Sequence, residues 1–360
     1  MGRKDLSKTQ GGAQVANQPD AYTELADRHG FGQSARYRRM MEMVMTPLQA
    51  RLVSLLPAPT EEVAQKAGMD PEAVNKELED LFLMGVIIPK NFQTREGYRF
   101  NRSVEQFHDA TLTNRVMDGA KAAEYHKLWN EFAHQEWFPH YAREFASHEQ
   151  PRERVVPAYN SIKDIPGILP QEDVREIFKF NEFIATTPCT CRLREQKCDK
   201  IVDVCLQFGR AAEYATVRGS GRKLSYQEAM DLVDQIEDSG LVHVWRNTDA
   251  MVSNFMCNCC DDCCVAWVPL VEHNVRLEQR HAKSRFEARV DQGPCDGCQT
   301  CIDRCQYNAI EMVKVPGSKR LKAFVDPELC FGCGVCVLKC DTGAMTMSMV
   351  RPPEHIPAAA

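Results

Sequence analysis

All 17 cysteines of this 360-residue chain lie between Cys189 and Cys340. A disulfide framework staples a small secreted chain along its whole length, so an odd count confined to the rear half fits that use poorly. Local packets of thiolates are what inorganic clusters and metal ions require. The last packet is a repeat. Cys295, Cys298, Cys301 and Cys305 follow the spacing C-x2-C-x2-C-x3-C, and Cys330, Cys333, Cys336 and Cys340 follow it again. A cubane [4Fe–4S] cluster needs thiolates at four tetrahedral corners. A tight turn with a cysteine every third residue supplies three of them and aims backbone amides at the sulfides. Structural zinc usually takes two cysteine pairs across a longer spacer, a different pattern.

The flanks of the two runs also repeat. Phe286–Val290 and Ala323–Val325 read as short strands before them, and Ala309–Met312 and Ala344–Met347 follow at matching distance. On these residues the segment 285–350 resembles the bacterial two-cluster ferredoxin module. The resemblance implies that the fourth cysteine of each run serves the other cluster. One cubane would take Cys295, Cys298, Cys301 and Cys340, the other Cys330, Cys333, Cys336 and Cys305. The proline usual after each fourth cysteine is Gln306 in one run and Asp341 in the other. That change is expected to loosen the turns, and Asp341 to lower the potential of a nearby cluster, without removing a ligand.

Nine cysteines remain, in two less regular packets: Cys189, Cys191, Cys198 and Cys205, then Cys257, Cys259, Cys260, Cys263 and Cys264. So many crowded free thiols would invite oxidation, which makes metal or cluster ligation the natural expectation. One or two further [4Fe–4S] clusters come first, with zinc and a dithiol redox centre as alternatives. Spacing does not say which cysteines share a site. Adjacent pairs such as Cys259-Cys260 point in different directions on an extended backbone, so one packet can serve two sites. His243 and His273 lie nearby and are read as structural.

A wider resemblance rests on Pro188-Cys189-Thr190-Cys191-Arg192, Cys198-Asp199, Val204-Cys205-Leu206-Gln207-Phe208-Gly209, Gly240-Leu241-Val242-His243 and Cys257-Asn258-Cys259-Cys260. Together these look like a group of anaerobic bacterial ferredoxin-type proteins. In that group a helical or winged-helix front, a cysteine-rich middle and a terminal two-cluster module share one chain. The likeness spans about 150–350 and implies electron transfer in anaerobic metabolism. Asp261-Asp262 stand where the group would carry glycine.

The expected fold is α+β, with a mostly helical N-terminal half. Residues 1–45 read as a polar tail and helical extension, broken around Gly30–Gly32. In 46–105, three helices precede a hairpin, a winged-helix-like outline. Asp70 and Pro71 start the third, and Val74, Leu78, Leu81 and Phe82 give it one apolar face. Residues 106–180 read as mostly helical and aromatic, with Tyr125, Trp129, Phe132, Trp137, Phe138, Tyr141 and Phe145. His126, His134, His140 and His148 share this stretch without a close ligand pair and are read as packing and solvated edges. A cysteine-rich cluster-binding domain (181–284), the ferredoxin domain (285–350) and a tail (351–360) follow. In the fourth domain Ser225 and Glu228 form a capping box before a helix carrying Ala229, Leu232, Val233 and Ile236, and Gly219-Ser220-Gly221 is a turn.

These features lead to an iron–sulfur electron-transfer protein, the relay subunit of a larger anaerobic oxidoreductase. It would pass single electrons through three or four [4Fe–4S] clusters to redox protein partners. No phosphate loop or haem attachment motif is visible, so substrate chemistry falls to a partner. An enzyme with an open cluster site in 189–264 is an alternative. A cluster-sensing regulator is a weaker one, because the third front helix carries Asp70, Glu72, Glu77, Glu79 and Asp80 against Lys76. Such a helix repels phosphates. The formal net charge of −6 agrees with no nucleic-acid partner. No signal peptide and no run of about 18 apolar residues is seen, so a cytoplasmic location is expected.

Overall fold

Side-chain caps set the front helices. In the computed structural model, which describes residues 20–359, Asp20 accepts from the amides of Tyr22 and Thr23 to start Ala21–Asp27, and Ser34 caps Ala35–Val44. The rest of the expected tail, 1–19, lies outside the described residues. Thr46 and Gln49 form a capping box before Pro47–Ser54, Thr60–Ala67 follows, and Asp70 caps Pro71–Met84. Strands β1 (Ile87–Ile88) and β2 (Arg99–Phe100) then pair antiparallel.

Helices Val104–Leu112, Gly119–Phe132 and Phe138–Ala146 complete the front, the last two joined through a π-helical turn at Ala133–Trp137. Tyr125, Trp129, Phe132, Trp137, Phe138, Tyr141 and Phe145 all enter one core with Tyr22, Leu25, Leu78 and Phe82. The aromatic side chains of this stretch are thus interior. His134 bonds Glu195 and Glu272, tying this body to the cysteine-rich region.

Beyond residue 146 the helical expectation gives way to a sheet. Strands β3 (Glu153–Val156), β4 (Ile184–Thr187), β5 (Cys205–Phe208), β6 (Arg222–Leu224), β7 (Val242–Arg246), β8 (Phe255–Cys259) and β9 (His281–Ala282) lie in the order β6-β4-β5-β8-β7-β3-β9. All neighbours run antiparallel except β3 and β9. Val156, Leu206, Phe208 and Trp245 pack with helices Val174–Phe180 and Tyr226–Asp238, the latter opened by the Ser225–Glu228 capping box. Val155, Val242 and Val244 belong to a second core, shared with the C-terminal module.

That module holds β10 (Phe286–Val290), β11 (Ile310–Val313), β12 (Lys322–Val325) and β13 (Met345–Met349), pairing β10 with β13 and β11 with β12. Arg304 clamps it to the sheet domain, donating to the carbonyls of Glu237 and Asp238 at 2.7 and 2.9 Å. Gln306, in the place of the usual proline, is buried and donates to the carbonyl of Gly240. Arg285 and Glu172 form a fully buried ion pair at 2.7 Å across the same junction. The C-terminal segment folds back as well, with the Asp249 amide bonded to the Pro357 carbonyl at 2.9 Å. Among the described residues no helix is long and apolar enough to cross a membrane. The chain is mixed α+β.

Candidate metal centres

The two cysteine runs wrap around two concavities of the C-terminal module. One is lined by Cys295, Cys298, Cys301 and Cys340. The other is lined by Cys305, Cys330, Cys333 and Cys336. The structure therefore brings together the crossed sets, each run lending its fourth cysteine to the other's hollow. Local backbone geometry explains the close wrapping. Gly297 has φ +80° and its position would put a Cβ 2.5 Å from the Leu321 carbonyl oxygen, while Gly332 has φ +71° and a Cβ there would lie 2.1 Å from that of Phe286. Only glycine satisfies both conditions.

The donors around the sulfurs fit thiolate ligands. The amides of Ala309 and Met345 point at Cys305 and Cys340 Sγ, each at 3.3 Å. Burial, with the neighbouring cysteines adding to it, pushes the Cys301 thiol up to about 11 and that of Cys333 up to about 12. As free thiols these groups would stay protonated at neutral pH, and a cation in the hollow is what reverses that preference. Tyr307 lines the second hollow, and its hydroxyl is buried with no protein hydrogen-bond partner. A buried hydroxyl without a partner is costly, and an acceptor within the hollow satisfies it. The hollows also differ in exposure: Cys330, Cys333 and Cys336 are buried, whereas Cys298 is exposed.

The nine middle cysteines divide into two groups. Cys189 precedes the helix Thr190–Glu195 that carries Cys191; β5 supplies Cys205, β8 supplies Cys257 and Cys259, and the turn after β8 supplies Cys264. Cys189 contacts Cys191, Cys191 contacts Cys264, and Cys264 lies 3.3 Å from Cys259, which also contacts Cys257. Cys205 is within electrostatic reach of Cys257 and Cys191. Hydrogen bonds from Cys189 and Cys264 hold the Cys191 thiol well below its ordinary value. Amide donors reach this group too, from Val265 to Cys191 and from Ala266 to Cys264, both at 3.4 Å.

Cys198, Cys260 and Cys263 form the second group, with Asp262, all four donor atoms lying within 4.8 Å of one another. Alternation along the chain produces this division. Cys259 and Cys264 face one group, and their neighbours Cys260 and Cys263 face the other. Arg192 serves both. Burial disfavours its charged form, yet Cys189, Cys260, Cys259 and Cys198 around it raise its pKa, and its guanidinium also donates to the carbonyl of Asn258 at 2.8 Å.

Asn258, between two cysteines, faces away from them and bonds His243 Nδ1 at 2.6 Å, so His243 is engaged in packing. His273 is exposed on a turn. Sequence reasoning passed over Tyr307 and Trp267, and noted Asp262 as a departure from glycine without reading it as a ligand. The Trp267 and Tyr307 rings meet at 4.5 Å, and Tyr307 stacks on Phe331 at 4.2 Å. Burial raises the Tyr307 pKa well above its ordinary value, with Cys333, Cys305, Cys259 and Cys264 adding to it, so the ring stands between the second hollow and the six-thiol group. The carboxylate at position 262, inside a C-x2-C loop, was the available signal for the third of these residues.

Residues 294–344 match the family profile of a 4Fe-4S dicluster domain. No curated protein and no solved structure matches the chain. The match covers the two cysteine-lined hollows and supports 4Fe–4S clusters in the C-terminal region; with the clustered cysteines it supports an iron–sulfur electron-transfer role.

Proposed function

We propose that this chain is the electron-relay subunit of a larger anaerobic oxidoreductase, with two [4Fe–4S] clusters in the C-terminal module and a third in the six-thiol group. The observation that carries the reading is the pair of hollows, each lined by four cysteines in the crossed pattern. Each cubane supplies a one-electron couple. Cys295, Cys298, Cys301 and Cys340 would hold one, Cys305, Cys330, Cys333 and Cys336 the second, and four of Cys189, Cys191, Cys205, Cys257, Cys259 and Cys264 the third. Exposed Cys298 marks the end of the row that a soluble redox partner can approach. At the other end the Trp267–Tyr307 pair fills the space between the second and third sites with aromatic rings.

We read residues 46–105 as a winged-helix-like domain used for protein contact. Its third helix carries exposed acidic residues, which favours a protein surface over a phosphate backbone. A cytoplasmic location and redox protein partners belong to the same reading.

Anaerobic iron and sulfide analysis tests it. About 12 irons per chain are expected, four for each of three cubanes. Colourless protein carrying zinc alone would overturn the proposal. A second measurement concerns Tyr307. Losing its buried hydroxyl removes a hydrogen-bond donor that favours the more negative, reduced state. Tyr307→Phe should lower the midpoint potential of one cluster by about 20–60 mV, the equivalent of one ordinary hydrogen bond in a one-electron couple. An unchanged potentiometric titration would show that the hydroxyl faces no cluster.

A further inference from the structure

Three thiols and a carboxylate stand apart from the cluster sites in the turn that follows β8. Cys260 and Cys263 form a C-x2-C knuckle, Cys198 reaches it from the loop after the helix Thr190–Glu195, and Asp262 completes a set whose four donor atoms fall within 4.8 Å of one another. Cys198 and Cys263 Sγ are 3.7 Å apart. A tetrahedral zinc ion with Zn–S bonds of about 2.3 Å places its sulfurs about 3.8 Å apart. A cubane binds each thiolate to a different iron and spreads the sulfurs further than one ion does.

We propose that Cys198, Cys260, Asp262 and Cys263 form a mononuclear zinc site, separate from the clusters, that locks the cysteine-rich loop onto the end of β8. Three further observations carry it. Asp262 Oδ1 is buried with no protein partner, which leaves it free to act as a ligand. The backbone amides of Lys200 and Lys197 lie beside Cys198 and Cys263, close enough to help orient thiolate ligands. Three thiolates and a carboxylate on a divalent ion leave two negative charges, and Arg192 and Lys200 stand beside the group to offset them. Soft sulfur with one oxygen at tetrahedral spacing suits zinc, and four protein donors leave no open position, so the role is structural. The site lies outside the relay reading and stands without it.

The test uses the anaerobically purified full chain. Elemental analysis should find one zinc per chain, and X-ray absorption at the zinc edge should show three sulfurs near about 2.3 Å and one oxygen near about 2.0 Å. In Cys198→Ser and in Asp262→Ala the zinc content should fall while iron, sulfide and the spectra of the reduced clusters stay at the parental level. Absence of zinc from the parent chain overturns the inference, as does a zinc shell of four sulfurs. A loss of about four irons in Cys198→Ser overturns it in favour of a cubane while leaving the relay reading intact. Failure of the relay reading shows separately, as missing iron in the parent protein that still holds zinc. Because absorption is measured on the parent chain, the result does not depend on either variant folding.

Discussion

Cys305→Ala should abolish the cluster of the second cysteine run, although Cys305 belongs to the first. Its sulfur lines the hollow with Cys330, Cys333 and Cys336, and the hollow of Cys295, Cys298 and Cys301 is completed by Cys340. The variant should lose about four irons, one cubane's complement. Its residual paramagnetic spectrum should equal that of Cys336→Ala and differ from that of Cys340→Ala, which should pair with Cys298→Ala. Spectra that instead grouped Cys305→Ala with Cys298→Ala would show that each run keeps its own cluster.

Glu172→Ala is expected to destabilise the chain by about 3–5 kcal/mol, since it strands a buried guanidinium. Arg285 donates to Glu172 at 2.7 Å, both side chains are 2% exposed, and its other donors reach the Arg351 carbonyl at 3.2 Å and Met349 Sδ at 2.8 Å. None of those neutral acceptors offsets a full charge out of water. A loss of this size is a large share of the roughly 5–15 kcal/mol by which ordinary domains are stable. Anaerobic denaturant unfolding, followed through cluster absorbance, measures it. The double variant Glu172→Met/Arg285→Met should recover most of the loss, because removing both charges removes the desolvation cost. A single-variant loss below about 1 kcal/mol would mean that water reaches Arg285.

The rear quarter of the molecule was legible because its rules are local. Each run positions three sulfurs within seven residues, the strands flanking it fall where their apolar residues fall, and the glycines at 297 and 332 mark the tight approach. Two helices, one in the front half and one in the cysteine-rich domain, were legible from caps: Asp70 and the Ser225–Glu228 pair engage the amides that their spacing foretells. The seven-stranded sheet was not. Its strands are two to five residues long, several are buried on both faces, and β3 opens within the charged run Arg152-Glu153-Arg154. Such segments show no period-2 alternation, and a sequence window reads them as loop or helix end. Arg154 is tolerated there because its guanidinium bonds the carbonyls of Arg246, Thr248 and Gln171.

The middle sites were half legible. The expectation of metal or cluster chemistry there came from the count of thiols, and that adjacent cysteines would diverge followed from backbone alternation. Which six met and which three met with Asp262 depends on β5, β8 and the turn at 260–264 coming together, a long-range pairing that spacing does not encode. Gln306 was read as a loosened turn. It is instead a tether, because its amide reaches Gly240 in another domain, a contact no proline could make.

The turn from Cys259 to Cys264 sends its sulfurs to two different groups of thiols, and the paired strands β5 and β8 carry Cys205, Cys257 and Cys259 into one of them. With the proposed cluster and zinc ion in place, such an arrangement would make maturation an ordered event. Inorganic cargo has to arrive while these strands are still apart, and a nascent polypeptide starved of iron would leave the sheet unsealed and open to proteolysis. Cellular abundance of this chain should therefore follow the supply of its inorganic parts, independently of how fast it is synthesised.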